Sequence, residues 1–237
     1  MVTTNLDKYV KRYTTLSCAL ETLTRKKVVL LSPSKWDDSN DVLFMDLYRD
    51  HIAAKSVLAL CCTMAAETYH HWRIFTQGIE GVCIEFERES LSVALEKRNI
   101  VARAVEYVLI RDLKRYGAQE IDRLPFVKRR GYSDEREWRA IAKCTDEIKE
   151  FLDVPINLTW INRLVLNPWM PPSLVDNLRS IIKKIDGCSS LKVESSRLTN
   201  SKAWKDAGRR LRYRRQNWEA AGAMTNALSP ATVCDEQ

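Results

Sequence analysis

Short apolar segments and amphipathic segments follow one another along this chain in no regular order. β-branched and aromatic residues concentrate in short segments bounded by polar or turn-forming residues, which is typical of strands. The predicted strands lie within residues 9–15, 28–31, 57–64, 82–86, 100–110, 137–143, 161–166 and 191–195. Because no strand–helix–strand unit repeats, this order predicts an α+β fold with a mixed, mostly antiparallel sheet and flanking helices, rather than a doubly wound parallel sheet.

Helices are predicted where apolar residues recur at helical spacing. They cover residues 17–26, 67–77, 90–98 and 173–185. Ser17 and Ser173 are the expected N-caps of the first and last of these helices. The aspartate-rich segment 36–41 is predicted to be a polar loop.

The chain has 237 residues and a formal net charge of +7. A positive excess favours an anionic partner such as RNA, DNA or a nucleotide, although an inert basic surface is the alternative. No segment approaches the roughly 20 apolar residues needed to cross a bilayer, so no membrane partner is expected. The seven cysteines are irregularly spaced and form no C-x-x-C pair. We therefore expect reduced thiols, no metal and a cytoplasmic protein; the oligomeric state is left open.

Basic residues crowd the end of the chain and suggest a second, smaller region. We expect one domain over residues 1–200 and a basic helix followed by a disordered tail over 201–237. The candidate nucleic-acid-binding residues are Arg209, Arg210, Arg212, Arg214 and Arg215. Aromatic residues interleave with them, which suits phosphate contact and base stacking. A solvated helix that packs its aromatics on the domain is the alternative.

Glu135 and Glu137 are separated by one residue at the start of a predicted strand. On a strand they would project from the same face. Paired carboxylates can polarise a sugar hydroxyl and stabilise an oxocarbenium-like transition state. The alternative is a purely structural role, in which they pair with Arg129, Arg136 or Arg139.

Several segments together resemble the bacterial family catalogued as domain of unknown function 2971. They are 11–16 (KRYTTL), 32–38 (SPSKWDD), 60–63 (LCCT), 72–75 (WRIF), 80–86 (EGVCIEF), 128–139 and 161–168. Their order and spacing resemble those of the family over about residues 8–200. Arg12 replaces the family's usual lysine and Phe75 replaces a tyrosine. If that tyrosine is catalytic, Phe75 puts the family's activity here in doubt. The family name implies no activity.

A second similarity, in residue order alone, is to ADP-ribosyltransferases. That resemblance implies NAD as co-substrate, with Arg12 holding the pyrophosphate, Thr63 supporting the pocket floor, and Tyr13 or Trp72 stacking on nicotinamide. It further implies that Glu137 binds the ribose and that Glu135 orients or deprotonates the acceptor. The implied function is an effector, either a toxin or an anti-phage defence protein, that modifies nucleic acid or protein.

Two other functions stay open. One is a non-catalytic nucleic-acid-binding or regulatory module that uses the basic tail. The other is a metal-dependent hydrolase or nuclease that uses Asp37, Asp38, Asp41 and the glutamates around a metal, which ranks last because no tight ligand spacing supports it. Neighbouring His70 and His71 point in different directions on a helix and are expected to be surface or packing residues.

Overall fold

The computed structural model describes residues 8–76 and 78–212. They divide into two compact units, of which the first ends at Ser196 and the second begins at Arg197. The second unit contains a helix over residues 202–212. The expected tail over 220–237 lies outside the described residues. None of the described helices has the length and apolar character needed to cross a membrane.

The first unit contains eleven strands and six α-helices among its described residues. In chain order they are β1 (Tyr9–Thr15), α1 (Leu16–Arg25), β2 (Lys27–Leu31), α2 (Ser39–His51), β3 (Ser56–Thr63), α3 (Tyr69–Phe75), β4 (Gly81–Glu87), α4 (Arg88–Glu96), β5 (Val101–Ala104), β6 (Glu106–Val108), α5 (Ile110–Leu113), β7 (Val127–Arg129), β8 (Glu137–Cys144), β9 (Phe151–Pro155), β10 (Ile161–Leu166), α6 (Pro172–Lys183) and β11 (Lys192–Ser195). Four 3₁₀ segments connect them: Pro33–Lys35, Ala118–Phe126, Arg130–Glu135 and Leu158–Trp160.

Nine of these strands form one sheet. Its main path runs β11-β10-β4-β1-β3-β2-β9, while β8 pairs with β3, and β5 pairs with β8. Only β10 and β11 run parallel within this sheet, and β6 and β7 form a separate parallel pair. The predicted α+β class, with a mostly antiparallel sheet and flanking helices, is confirmed.

The sheet forks at β3. One edge of β3 pairs along its whole length with β8. The other edge pairs with β1 at a single position, Lys11 opposite Thr63, and with β2 at a single position, Leu31 opposite Ala59. Because β1 and β2 share this edge without pairing with each other, the backbone opens between them.

Helices cover the two faces of the sheet differently. On one face, α1, α4 and α6 pack Leu23, Leu95 and Ile182 into the main hydrophobic core. The opposite face carries two separate apolar clusters, one around Met45 of α2 and the other around Trp72 of α3. The first cluster sits on β3 and β8 and the second on β4 and β10, so the part of β3 next to β1 is left between them.

Three local expectations differ from the structure. Thr15 rather than Ser17 caps α1, and its side chain accepts a hydrogen bond from the amide of Cys18. The helix α6 follows Pro171 and has no side-chain cap, so Ser173 lies inside its first turn. The polar loop predicted over 36–41 ends at Asp38, which caps α2 through the amide of Asn40. An aspartate before a helix and an aspartate in a loop look alike in sequence.

Candidate functional site

A row of polar residues crosses one face of the sheet. Thr63 of β3 is opposite Lys11 of β1 on one side and opposite Glu137 of β8 on the other. Lys11 is in turn opposite Glu85 of β4, which is opposite Arg163 of β10. Directly opposite residues share a face, so charged groups interrupt an otherwise apolar surface. The row identifies where this face of the sheet can meet a polar ligand.

A cleft of about 290 Å³ opens over β3 at Ala59, Cys61 and Thr63. That volume lies just below the range of about 300–1,000 Å³ for small-molecule sites. Five candidate residues from the sequence line it: Arg12, Tyr13, Thr63, Glu135 and Glu137. The cleft is also lined by Lys11, Trp36, Asp41, Phe75, Lys128 and Arg139. Of these, the sequence had suggested Asp41 for a metal site and Arg139 as a partner of the glutamates.

Arg139 lies at the centre of the charged groups and is 1% exposed. Its Nε donates to Glu137 Oε1 over 2.7 Å and its Nη2 donates to Glu137 Oε2 over 2.8 Å. Its Nη1 and Nη2 also donate to the two carboxylate oxygens of Asp41, over 2.9 and 2.6 Å. Burial alone would raise the pKa of Glu137, but Arg139 and Lys128 hold it below its ordinary value. For Asp41, burial prevails over Arg139 and raises the pKa.

Lys128 joins the second glutamate to this group. Its Nζ donates to Glu135 Oε2 over 2.7 Å and lies 3.5 Å from Glu137 Oε2. Burial lowers the pKa of Lys128, but Glu137 and Glu135 outweigh it, so the net shift is upward and the ammonium stays charged. Burial raises the pKa of Glu135 despite the contact with Lys128. Two carboxyl groups in one cleft thus have pKa values displaced in opposite directions, the pattern expected of an acid–base pair with divided roles.

Glu135 and Glu137 both line the cleft, but they do not lie on one strand as expected. Glu135 ends the 3₁₀ segment Arg130–Glu135, whereas Glu137 begins β8. Between them Arg136 adopts a left-handed backbone conformation with φ 42°. The shared face therefore does not come from strand alternation. A turn brings the side chain of Glu135 back towards Lys128.

Arg12 and Thr63 lie at the fork of the sheet. The Arg12 guanidinium donates from Nη1 to the carbonyl of Val29 over 3.3 Å, which joins β1 to β2 where their backbones do not pair. The Thr63 hydroxyl donates to the carbonyl of Glu135 and accepts from the amide of Ala65 over 2.9 Å. Thr63 thus links the end of β3 to the turn that carries Glu135.

Aromatic rings form one wall of the cleft. Tyr13 stacks on His71 with ring centroids 5.4 Å apart, and His71 stacks on Phe75 at 5.8 Å. Phe75 is 40% exposed and lines the cleft. Trp72, by contrast, is 1% exposed, donates from Nε1 to Glu67 and meets Tyr13 edge-on. The expectation that Trp72 stacks on a ligand ring therefore differs from the structure, in which Trp72 supports Tyr13 from behind.

Two of the aspartates proposed for a metal site have structural contacts instead. Asp38 caps α2 and Asp41 is paired with Arg139. Within the described part of the chain, no group of three or more His, Cys, Asp or Glu side chains is arranged to hold a metal ion. His71 is buried and accepts or donates a hydrogen bond with the Thr68 hydroxyl, so it is a packing residue, as expected.

Three of the five basic tail residues are described. Arg209, Arg210 and Arg212 are exposed on the helix over 202–212. Arg214 and Arg215 lie outside the described residues. Trp204 on the same helix is 81% exposed.

Comparison with known proteins gave matches in solved structures only. No family model and no curated protein sequence matches the chain, so the resemblance to the domain of unknown function 2971 family is not confirmed. A structure of DarT from Thermus sp. 2.9 in complex with ADP-ribosylated ssDNA is similar, with 7% identity, a TM-score of 0.42, and coverage of 80% of this chain and 94% of that chain. A structure of the same DarT in complex with NAD+ is similar with 9% identity, a TM-score of 0.40, and coverage of 80% of this chain and 95% of that one.

Proposed function

We propose that the chain is an ADP-ribosyltransferase that uses NAD as donor and transfers ADP-ribose to a nucleic acid or a protein. The observation that supports this most is the cleft, where side chains from β1, β3 and the β8 region, far apart in sequence, meet over Thr63. Two carboxylates with oppositely displaced pKa values, a guanidinium at the fork and an exposed aromatic ring share one small cavity. These groups match the needs of glycosidic bond cleavage at a ribose.

In this mechanism Glu137 binds the ribose next to nicotinamide. A carboxylate has about four acceptor sites. Arg139 uses two of them and the Cys61 thiol contacts the same group, so Glu137 still has an acceptor site for a ribose hydroxyl. The bond between the anomeric carbon and the nicotinamide nitrogen breaks, and its electron pair leaves with neutral nicotinamide. The positive charge that develops on the ribose is stabilised by the nearby carboxylates.

Glu135 takes the role of general base. The acceptor's oxygen or nitrogen attacks the anomeric carbon, forms the new bond and gives its proton to Glu135. A carboxylate whose pKa is raised is a better proton acceptor than an ordinary one. Arg12 contacts the pyrophosphate from the fork, and Tyr13 and Phe75 offer ring surface to nicotinamide.

The direct test is to incubate the purified full chain with NAD labelled in the ADP-ribose part and with cell RNA, DNA or protein. We expect nicotinamide release and label in one acceptor pool. Glu137→Gln should lower both by roughly 100- to 1,000-fold, the usual cost of removing a group that stabilises transition-state charge. The proposal fails if the wild type neither releases nicotinamide nor labels any acceptor, or if Glu137→Gln is as active as the wild type.

Glu85→Gln is the matched control. Glu85 is as buried as Glu137, at 4% against 5%, and also pairs with an arginine, Arg163. It lies in the same polar row but does not line the cleft. A loss of activity common to both variants would indicate a folding effect. Thermal unfolding of both variants separates this outcome from a catalytic one.

A second candidate function is nucleic-acid binding by the helix over residues 202–212. Lys202, Lys205, Arg209 and Arg212 recur at separations of three and four residues and so lie on one helical face. The exposure of Trp204, at 81%, adds a ring that can stack on an unpaired base.

This candidate is tested by reversing charge in the full chain. The triple variant Lys205→Glu, Arg209→Glu, Arg212→Glu should weaken binding of a fluorescent single-stranded oligonucleotide and flatten its dependence on salt. The control triple Arg111→Glu, Lys114→Glu, Arg115→Glu changes the net charge equally at exposed positions on and next to α5. Equal losses in both triples would indicate a non-specific charge effect and contradict a site on the helix.

A further inference from the structure

Asp41 and Arg139 have no part in the transfer step described above, yet both line the cleft and both are buried. They come from different elements, since Asp41 lies in the first turn of α2 and Arg139 lies in β8, 98 positions further along the chain. A pair assembled from two elements in this way is a built feature of the fold rather than a local contact.

Arg139 uses all of its donors. A guanidinium has five N–H groups in a rigid planar fork. Two of them bind the oxygens of Glu137, two bind the oxygens of Asp41, and one binds the carbonyl of Pro125 over 2.8 Å. The ring of Trp36 lies 4.9 Å from the guanidinium carbon. Arg139 therefore has no donor left for a ligand unless it releases one of these partners.

The geometry of the fork fixes Glu137. Because Nε and Nη2 of Arg139 bind one oxygen each, the carboxylate of Glu137 is held by two contacts and cannot rotate. Asp41 binds the adjacent edge of the guanidinium, with one oxygen on Nη1 and the other on Nη2, and so fixes the orientation of Arg139. Asp41 is itself held in the first turn of a helix whose N-terminus is capped by Asp38.

We propose that Asp41 and Arg139 are positioning residues that fix the carboxylate of Glu137 for ribose binding, with Asp41 acting through Arg139. This inference rests on the proposed function, because it assigns Glu137 the ribose contact. Neither residue touches the donor in this proposal. Their effect on transfer comes from the orientation of Glu137, for which a misplacement of about 1 Å can cost about 100-fold in rate.

Asp41→Asn is the informative substitution. It keeps one oxygen acceptor for Arg139 and leaves two carboxylates facing two cations in this group, so the fold should tolerate it. We expect kcat for nicotinamide release to fall roughly 10- to 100-fold with little change in KM for NAD. Asp46→Asn is the matched control, since Asp46 lies on the same helix and pairs with Arg49 outside the cleft. If Asp41→Asn is as active as Asp46→Asn, the inference is overturned while the proposed function stands. If Asp41→Asn does not fold, Asp41→Glu, which keeps the charge and shifts the carboxylate, takes its place with the same expected loss.

A titration of Glu137 separates positioning from activity. In protein labelled with carbon-13 at the glutamate carboxyl carbons, Glu137→Gln identifies the signal of Glu137. In Arg139→Lys, one ammonium replaces the fork, so the Glu137 midpoint should move upward. An unchanged midpoint would overturn the inference. This measurement needs no NAD turnover, so it tests whether Arg139 holds the carboxylate of Glu137 separately from whether Glu137 acts on NAD.

Discussion

Lys11 and Glu137 flank the same residue of the central strand, Thr63, from opposite sides. The two side chains have opposite charges and lie on the cleft face of the sheet. Their strands, β1 and β8, lie on either side of β3. The ammonium of Lys11 donates a hydrogen bond to the carbonyl of Ala65 over 3.0 Å. It also lies 4.0 Å from the carboxylate of Glu85. The Thr63 hydroxyl, which is bonded to the turn before β8, sets the position of the glutamates relative to β1. This arrangement makes the cleft a junction of three strands, and its stability depends on charge pairing.

Replacing Arg139 should destabilise the fold strongly. Arg139→Met would leave Asp41 and Glu137 buried with only Lys128 as a nearby cation, at 4.0 and 3.5 Å. Removing one partner of a buried ion pair typically costs about 3–5 kcal/mol. Urea unfolding at pH 7 measures this loss. The control Arg49→Met removes an exposed arginine paired with Asp46 and Asp50, and should cost no more than about 1 kcal/mol. Equal losses in the two variants would contradict the buried network.

Strands could be predicted from the sequence where their own residues specify them. The strands β1, β3, β4 and β10 were predicted to within one or two residues, because short runs of β-branched and apolar residues specify them. Arg12, Thr63 and Glu137 were selected by order along the chain, and they line one cleft. Arg139 could have been added, since it lies two residues after Glu137 on a predicted strand and so shares its face.

Features that depend on tertiary packing were not predictable. Asp41 meets Arg139 only because α2 begins at Ser39 and packs on β3 and β8. Asp38 and Asp41 are compatible both with a polar loop and with the cap and first turn of a helix, and the loop was expected. Trp72 was expected in the cleft because a tryptophan suits both a core and a stacking site, and burial decided between them. The fork between β1 and β2 depends on pairings of single residues with β3, which no periodicity signals.

The two glutamates should give opposite dependences of stability on pH. The folded-state pKa of Glu137 lies below its ordinary value, so its stabilising contribution is present above the ordinary pKa, about 4.3, and is lost as pH falls through the folded-state pKa. The folded-state pKa of Glu135 lies above its ordinary value. Its ionisation therefore costs stability, and that cost develops as pH rises from the ordinary to the folded-state pKa.

Unfolding free energies of Glu135→Gln and Glu137→Gln, compared with the wild type between pH 3 and pH 7, check this prediction. Glu135→Gln should gain stability relative to the wild type as pH rises above about 4.3. Glu137→Gln should lose stability relative to the wild type as pH rises towards that value. Differences that change with pH in the same direction for both variants would show that the charges of Lys128 and Arg139 are not divided between the two carboxylates as described.

Arg12 should affect the affinity for NAD more than the rate of transfer. Its guanidinium lies at the fork and contacts Val29 through a single 3.3 Å bond, so most of its donors are available to a pyrophosphate. Hydrogen bonds to charged groups contribute about 1.5–3 kcal/mol each, so Arg12→Ala should raise KM for NAD at least about tenfold and change kcat little. Arg25→Ala, at the exposed end of α1, is the control and should leave both constants unchanged. A fall in kcat with an unchanged KM would assign Arg12 to the chemical step instead.

Cys61 offers a probe of the cleft that does not depend on turnover. Its side chain is exposed to solvent at the cleft next to Glu137, and the protein around the thiol together with that carboxylate raises the pKa of the thiol. Because the thiolate is the reactive form, alkylation by iodoacetamide at pH 7 should be slow and should accelerate as pH rises. Cys18, exposed on α1, should react faster at pH 7 and serves as the internal reference. Peptide mass spectrometry follows both sites in one sample.

NAD should slow alkylation at Cys61 and leave Cys18 unaffected, since a bound donor covers the floor of the cleft. Equal rates at the two cysteines at pH 7 would contradict the environment described for Cys61. Slow alkylation that saturating NAD leaves unchanged would instead place the donor outside this cleft.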